Sequence, residues 1–245
     1  MKPHSHLIQK QNNLSSKMEK TDLEVIYEDN HLIAVNKRPG DIVQGDKTGD
    51  VPLSERVKEF LRAKYGKEGN VFCGVIHRID RPVSGVVVFA KTSKALSRMN
   101  QLIQDRQVHK KYWAIVKDAP PQKQGNLVHY LYKVESKNKS IVSNLPKEGY
   151  VRAELNYLVI AASESYYLLE IELITGRHHQ IRAQLAAMGC PIKGDLKYGS
   201  PRSNRDASIC LHARSIGFIH PVSQQPVCIE VNPPDKQAWK WFEGN

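Results

Sequence analysis

The sequence predicts an α+β fold, a mixed and largely antiparallel sheet with helices on one side. Three observations carry that expectation. Strand-like segments outnumber helical ones, the two kinds do not alternate as a doubly wound α/β chain requires, and no repeat or linker divides the chain. The 245 residues suffice for one core or for two small subdomains sharing a core, and 40% hydrophobic residues is the content of a folded globular protein.

The N-terminal stretch, MKPHSHLIQKQNNLSSKMEK, is polar, aperiodic and without an apolar h-region. Residues 1–20 are therefore expected to be a disordered leader, with Met18 as an alternative start, and residues 21–245 a single domain. From Leu23 to Gly40, two alternating apolar segments flank Glu28-Asp29-Asn30, which predicts a hairpin closed off by Pro39-Gly40. Val57, Phe60 and Leu61 place a helix over Leu53 to Tyr65, with Ser54 as N-cap and Gly66 as stop. Gly85 to Ala90 is an unbroken apolar run, hence a buried strand. Thr92 or Ser93 then caps a helix whose Leu96, Met99 and Ile103 share one face.

Val108 to Val116 reads as a strand, and the lysine-rich Lys133 to Gly149 as an exposed loop or irregular hairpin. Two strands, RAELNYLVIAA and YYLLEIELI, join at Ser163-Glu164-Ser165. Gly176 opens RHHQIRAQLAAMG as a tight strand-to-helix transition; Ile181, Leu185 and Met188 form its apolar stripe, and Gly189 ends it. SICLHARSIGFIHP and QQPVCIEVNPP make a last strand pair.

Lys and Arg number 36 against 25 Asp and Glu, a formal charge of +11, which suits a polyanionic partner. Cys73, Cys190, Cys210 and Cys228 are far apart with no C-x-x-C pair, which argues against a zinc ribbon or a dense disulfide frame and fits a reducing compartment. No segment is apolar for long enough to span a bilayer, so no membrane partner is expected and the cytoplasm is the expected location.

Two constellations carry chemistry. In His77-Arg78-Ile79-Asp80-Arg81-Pro82-Val83-Ser84-Gly85 a lone carboxylate lies between two arginines. An opposite charge about 4 Å away is worth roughly 4 kcal/mol at an effective dielectric near 20, so Asp80 should stay ionised, as a nucleophile or a base requires. The alternative is a structural turn aspartate. In Thr175-Gly176-Arg177-His178-His179-Gln180-Ile181-Arg182, donors crowd a helix start, which fits either a phosphate site or an arginine partner for Asp80. His178 and His179 lack the i, i+4 spacing of helical metal ligands, so no metal is expected.

HRIDRPVSGVVVFAKT, KKYWAIV, LITGRHHQIRAQLAAMGCPIKGDLKYG and LHARSIGFIHP occur in the order found in the RluA-type RNA pseudouridine synthases, and the chain resembles that family from about Leu23 to Pro234. Val83 stands where the family motif has Thr, Ile79 where it has Leu, and Gln184 at a position commonly His. The resemblance implies the pseudouridine synthase catalytic fold with a central catalytic cleft, and a reaction that detaches uracil from C1′, turns it and rejoins it through C5, without metal or cofactor. It further implies Asp80 as catalytic aspartate, Tyr112 as the active-site tyrosine stacking on the flipped base, and Arg182 as the arginine paired with Asp80. Arg78 matches the residue that fills the gap left by the extruded uridine, and His77, Arg177 and Gln180 are expected on the RNA substrate. The RNA is expected to be ribosomal or transfer RNA, the protein a monomer, and the N-terminus free of an S4-type domain. A catalytically silent RNA-binding protein on the same scaffold is the alternative; a nucleoside or glycoside hydrolase is weaker, because no second acid partners Asp80 in the sequence pattern.

Overall fold

The computed structural model describes residues 23–235 and 237–242, so the expected leader lies outside the described residues. Among these, eleven strands form one sheet. In chain order they are β1 (Val25–Glu28), β2 (Leu32–Lys37), β3 (Gly74–Val75), β4 (Ser84–Ala90), β5 (His109–Val116), β6 (Gln124–Val134), β7 (Lys139–Ser143), β8 (Val151–Ala162), β9 (Tyr167–Leu173), β10 (Leu211–Ile219) and β11 (Pro226–Glu230). The helices are α1 (Leu53–Tyr65), α2 (Ser93–Gln104), α3 (Gln180–Ala187) and α4 (Gln237–Lys240). The spatial order is β1-β2-β4-β10-β5-β9-β8-β6-β7, with β3 added to β4 and β11 to β10. All pairings are antiparallel except β4 with β10, which is the mixed, largely antiparallel α+β arrangement the pattern predicts.

Helices lie on both faces of the sheet, not on one. Ile33 and Val35 of β2 pack with Leu53 and Val57 of α1 and Leu185 of α3, whereas Leu32 and Ala34 pack with Ala95 and Met99 of α2. The physical sign of this was the unbroken apolar run in β4, all of whose residues are buried, because a strand covered on both faces does not alternate. At the other end of the sheet Leu131 and Ala153 pack on Ala183 of α3, while their neighbours Tyr132 and Val151 stay exposed. The Lys133 to Gly149 segment is a hairpin: β6 continues through a 3-10 turn at Glu135–Lys137 into β7, with Asn138 at φ +42 making the reversal.

Two expected helix signals are replaced. Ser54 does not cap α1; the helix starts after Pro52, and the free amides of Leu53 and Ser54 donate to the carbonyls of Ile42 and Val43, which removes the need for a side-chain cap. Gly176 is not the residue that turns the chain into α3, since His179, at φ +51, occupies that left-handed position. Thr92 caps α2 by accepting the Ala95 amide, and Gly66, at φ +57, stops α1 as expected.

The parallel seam sets the geometry of the site. Gly85 lies opposite Ala213, Ala213 opposite Tyr112, and Tyr112 opposite Ile171, one row across β4, β10, β5 and β9. Gly85 has φ +119, and a Cβ there would overlap the Ala213 backbone, so only glycine lets the two strands meet at this point. Asp80, five residues upstream, lies near enough to Tyr112 for its charge to act on the phenol.

Candidate active site

Asp80 opens a turn between β3 and β4 that is closed by the Val83 amide donating to the Asp80 carbonyl at 3.0 Å. Lys37, at the end of β2, holds this turn from below. Lys37 is 1% exposed, and its ammonium donates to the carbonyls of Arg38, Arg81 and Val83 at 3.0, 3.0 and 2.6 Å. Burial draws its pKa down to about 7 against the pull of Asp41 and Asp80, while three carbonyl acceptors match the three N–H bonds of the charged form. Lys37→Met should therefore leave three carbonyls without their donor and cost about 2–4 kcal/mol of stability. Thermal unfolding checks this; a melting point within about 1 °C of wild type would make Lys37 a bystander.

The arginines that flank Asp80 in sequence do not hold it. Arg81 turns away to the Gly40 carbonyl and to Asp50, and Arg78 is exposed. The guanidinium on Asp80 is that of Arg182, from α3, whose Nη1 donates to Oδ2 at 2.9 Å. The other edge of Arg182 makes a two-pronged pair with Asp195, Nε to Oδ2 at 2.6 Å and Nη2 to Oδ1 at 2.9 Å. Burial opposes the charge on Arg182, but Asp195 and then Asp80 outweigh it and raise its pKa above the ordinary guanidinium value. Asp195 is 1% exposed and sealed behind Arg182, so it is no second carboxylate for a sugar, which removes the hydrolase alternative's main requirement.

His179 stands at the same carboxylate, with Nε2 3.6 Å from Asp80 Oδ2, and its Nδ1 is 3.0 Å from the Tyr198 hydroxyl. Tyr112 is 7% exposed, and burial together with the Asp80 charge raises its pKa, so its hydroxyl keeps its proton. An open cleft of about 1340 Å³ contains Asp80, Tyr112, Arg182 and His179 in its wall. Arg78, Arg106, Lys110, Lys133, Arg177 and Lys197 line it as well. Gly176 lies beside the Lys110 ammonium at the cleft.

The remaining expected substrate residues divide. Arg177 is exposed at the cleft, with Nε anchored on the Arg152 carbonyl at 3.1 Å. His77 borders the cleft, but its Nε2 accepts the Val88 amide of β4 at 3.1 Å, and burial followed by the nearby Lys110 lowers its pKa to about 3, so it is a neutral brace of the strand. Gln180 is 3% exposed and its amide is committed to the turn: Oε1 accepts from Thr175 Oγ1 at 2.8 Å and from the Arg177 amide at 2.9 Å, and Nε2 donates to the Glu154 carbonyl at 3.0 Å. These bonds make Gln180 a support for the approach to α3 and leave its carbonyl no free lone pair for RNA. Sequence reasoning missed Lys37, His179, Asp195 and Tyr198. His179, Asp195 and Tyr198 lie within the quoted stretch LITGRHHQIRAQLAAMGCPIKGDLKYG, but nothing in the pattern gave them individual roles, and Lys37 carried no signal of its own.

Residues 31–187 match the family model described as RNA pseudouridylate synthase. The chain is 32% identical over 222 residues to a ribosomal large subunit pseudouridine synthase D of Zymomonas mobilis, covering 86% of this chain and 69% of that protein. It is 33% identical over 226 residues to a tRNA pseudouridine synthase C of Vibrio cholerae, covering 84% and 89%. Among solved structures it is similar to human RNA pseudouridylate synthase domain containing 4, with a TM-score of 0.75 and 21% identity over 96% of this chain and 95% of the other, a likeness of fold. A sheet with this seam, a carboxylate held by an arginine over a basic cleft, and matches spanning most of the sequence lead to one conclusion: the chain belongs to the RNA pseudouridylate synthase family and is an RNA pseudouridine synthase, an isomerase.

Proposed function

We propose that the protein isomerises specific uridines of structured RNA, ribosomal or transfer, with Asp80 as its catalytic carboxylate and with extrusion of the target base. The observation that carries this reading is the Asp80 carboxylate in the wall of a basic cleft, with Oδ2 held by Arg182 at 2.9 Å and Oδ1 without a hydrogen bond among the described residues. In the reaction the C1′–N1 bond breaks, the base turns and a C1′–C5 bond forms; C5 gives up a proton and N1 carries one, so composition is unchanged. An oriented anion at C1′ serves either as nucleophile or as base for that sequence.

A uridine within folded RNA reaches such a cleft only by leaving its stack, at a cost of a few kcal/mol. The cations along the cleft meet the phosphates, Arg78 fills the place of the extruded base, and Tyr112 stacks on it, which is worth roughly 1–3 kcal/mol. One chain supplies every residue invoked, as a monomeric enzyme working in the cytoplasm would. The names of the relatives, one acting on the large ribosomal subunit and one on tRNA, support both substrate classes.

The test is to map pseudouridine across all RNAs of a strain lacking this gene and to treat the unmodified RNA with purified protein. Pseudouridine should appear at the lost positions with RNA mass unchanged. Abasic sites would mean a hydrolase, and binding without conversion a silent binder. Tyr112→Phe should lower turnover by roughly 100-fold while RNA affinity holds, because the ring still stacks but the protonated hydroxyl is gone. Equal turnover in the two proteins would reduce Tyr112 to a stacking residue.

A further inference from the structure

His179 reaches the Asp80 carboxylate, and nothing in the reaction above uses it. It is held in an uncommon way. Its backbone is left-handed at φ +51, a conformation that costs a non-glycine residue on the order of 1 kcal/mol and persists only where its surroundings impose it. Its ring stacks on His178 with centroids 3.8 Å apart and meets Tyr198 edge-on. Behind it, the Tyr198 hydroxyl accepts the Ser140 amide at 2.8 Å and lies 3.0 Å from His179 Nδ1.

That chain of contacts assigns the imidazole proton. The Ser140 amide fills one lone pair of the Tyr198 oxygen, and donation to Nδ1 is the arrangement that gives the hydroxyl proton an acceptor at 3.0 Å. The ring is neutral, since burial first, and then Arg182 and His178, hold its pKa down at about 2. A neutral ring accepting at Nδ1 carries its one proton on Nε2, the atom 3.6 Å from Asp80 Oδ2. The other tautomer would turn a lone pair onto a carboxylate.

We infer that His179 is a positioning residue for Asp80: a neutral imidazole, locked by Tyr198, that presents an N–H dipole to Oδ2 and, together with Arg182, leaves Oδ1 as the reacting oxygen. The inference rests on Asp80 being the catalytic carboxylate. At 3.6 Å the contact is a charge–dipole attraction longer than a hydrogen bond, and it strengthens as bound RNA excludes water from the cleft. The charged and titratable groups facing Asp80 are Arg182, His179, His178, Tyr198, Tyr112 and Lys37. Among the described residues, the cationic and imidazole nitrogens within 4.0 Å of Oδ2 are those of Arg182 and His179.

The experiment compares Tyr198→Phe, His179→Leu, His179→Gln and Asp80→Asn with wild type by single-turnover rate against pH, RNA affinity and thermal unfolding, using the RNA found by mapping. Tyr198→Phe frees the tautomer and His179→Leu removes the dipole, so the carboxylate charge at Oδ2 is stabilised less. The acid limb of the rate profile should then move to higher pH by about half a unit, with RNA affinity unchanged. His179→Gln keeps an N–H at similar reach and should return the limb towards its wild-type place. A merely structural histidine would lower the melting point and leave the limb where it was, and that result in both Tyr198→Phe and His179→Leu overturns the inference. Should His179→Leu not fold, the nearly isosteric Tyr198→Phe decides alone. An inactive Asp80→Asn beside an unmoved limb sinks only the role of His179, whereas wild-type activity in Asp80→Asn sinks the reading of Asp80 itself.

Discussion

Asp80→Asn is expected to lose essentially all pseudouridine formation while remaining folded. The substitution keeps shape and hydrogen-bonding capacity but removes the negative charge and the nucleophilic or basic oxygen that chemistry at C1′ requires. The fold does not depend on that charge, because the turn is held by backbone: the Lys37 ammonium on three carbonyls and the Val83 amide on the Asp80 carbonyl. RNA affinity should hold or rise slightly, since an anion has been removed from a groove that meets phosphates. The assay is conversion of the mapped RNA, with thermal unfolding as control. Isomerisation at the wild-type rate would leave Asp80 a structural turn residue.

The motifs with chemistry in them were legible because their residue types are rare in combination. A carboxylate in HRID and an arginine-rich helix start in GRHHQIR announce charge at a site, and Arg182 does reach Asp80 although 102 residues separate them. The backbone elements were legible for the ordinary reason that β4 is an unbroken apolar run of strand length and α1 carries an apolar face at helical spacing. What surrounds the carboxylate was not. Asp195, Tyr198 and Lys37 act through geometry made by distant segments, and a lone Lys at the end of a strand or a lone Tyr in a turn looks like surface in a sequence. Proximity in the chain even misled: Arg78 and Arg81 flank Asp80, but successive residues of a turn point apart, and Arg81 pairs with Asp50 instead. Gln180, which the sequence places at a helix start, spends its side-chain carbonyl on the Thr175 hydroxyl and the Arg177 amide of the turn before α3.

Arg182→Lys and Asp195→Asn are expected to fail for one shared reason, and their combination tells whether it is right. Arg182 bridges two acids with opposite edges of one plane, Nη1 to Asp80 and the Nε/Nη2 edge to Asp195. A lysine is a point charge and cannot reproduce that fork, so Arg182→Lys should cost roughly 100-fold in turnover by letting the Asp80 carboxylate rotate, with a smaller effect on RNA affinity. Asp195→Asn acts from the other side. It leaves a buried guanidinium short of its closest countercharge, a loss of about 3–5 kcal/mol in stability, and frees Arg182 to shift its aim at Asp80. Because both changes dismantle the same bridge, their effects on turnover should not add: the double variant should be little worse than Arg182→Lys alone, with a coupling of at least about 1 kcal/mol in the cycle. Rates from single turnovers and melting points from the four proteins measure it. Additivity within about 0.5 kcal/mol would mean that Asp195 steadies the fold independently of Asp80 and that the bridge does not aim the carboxylate.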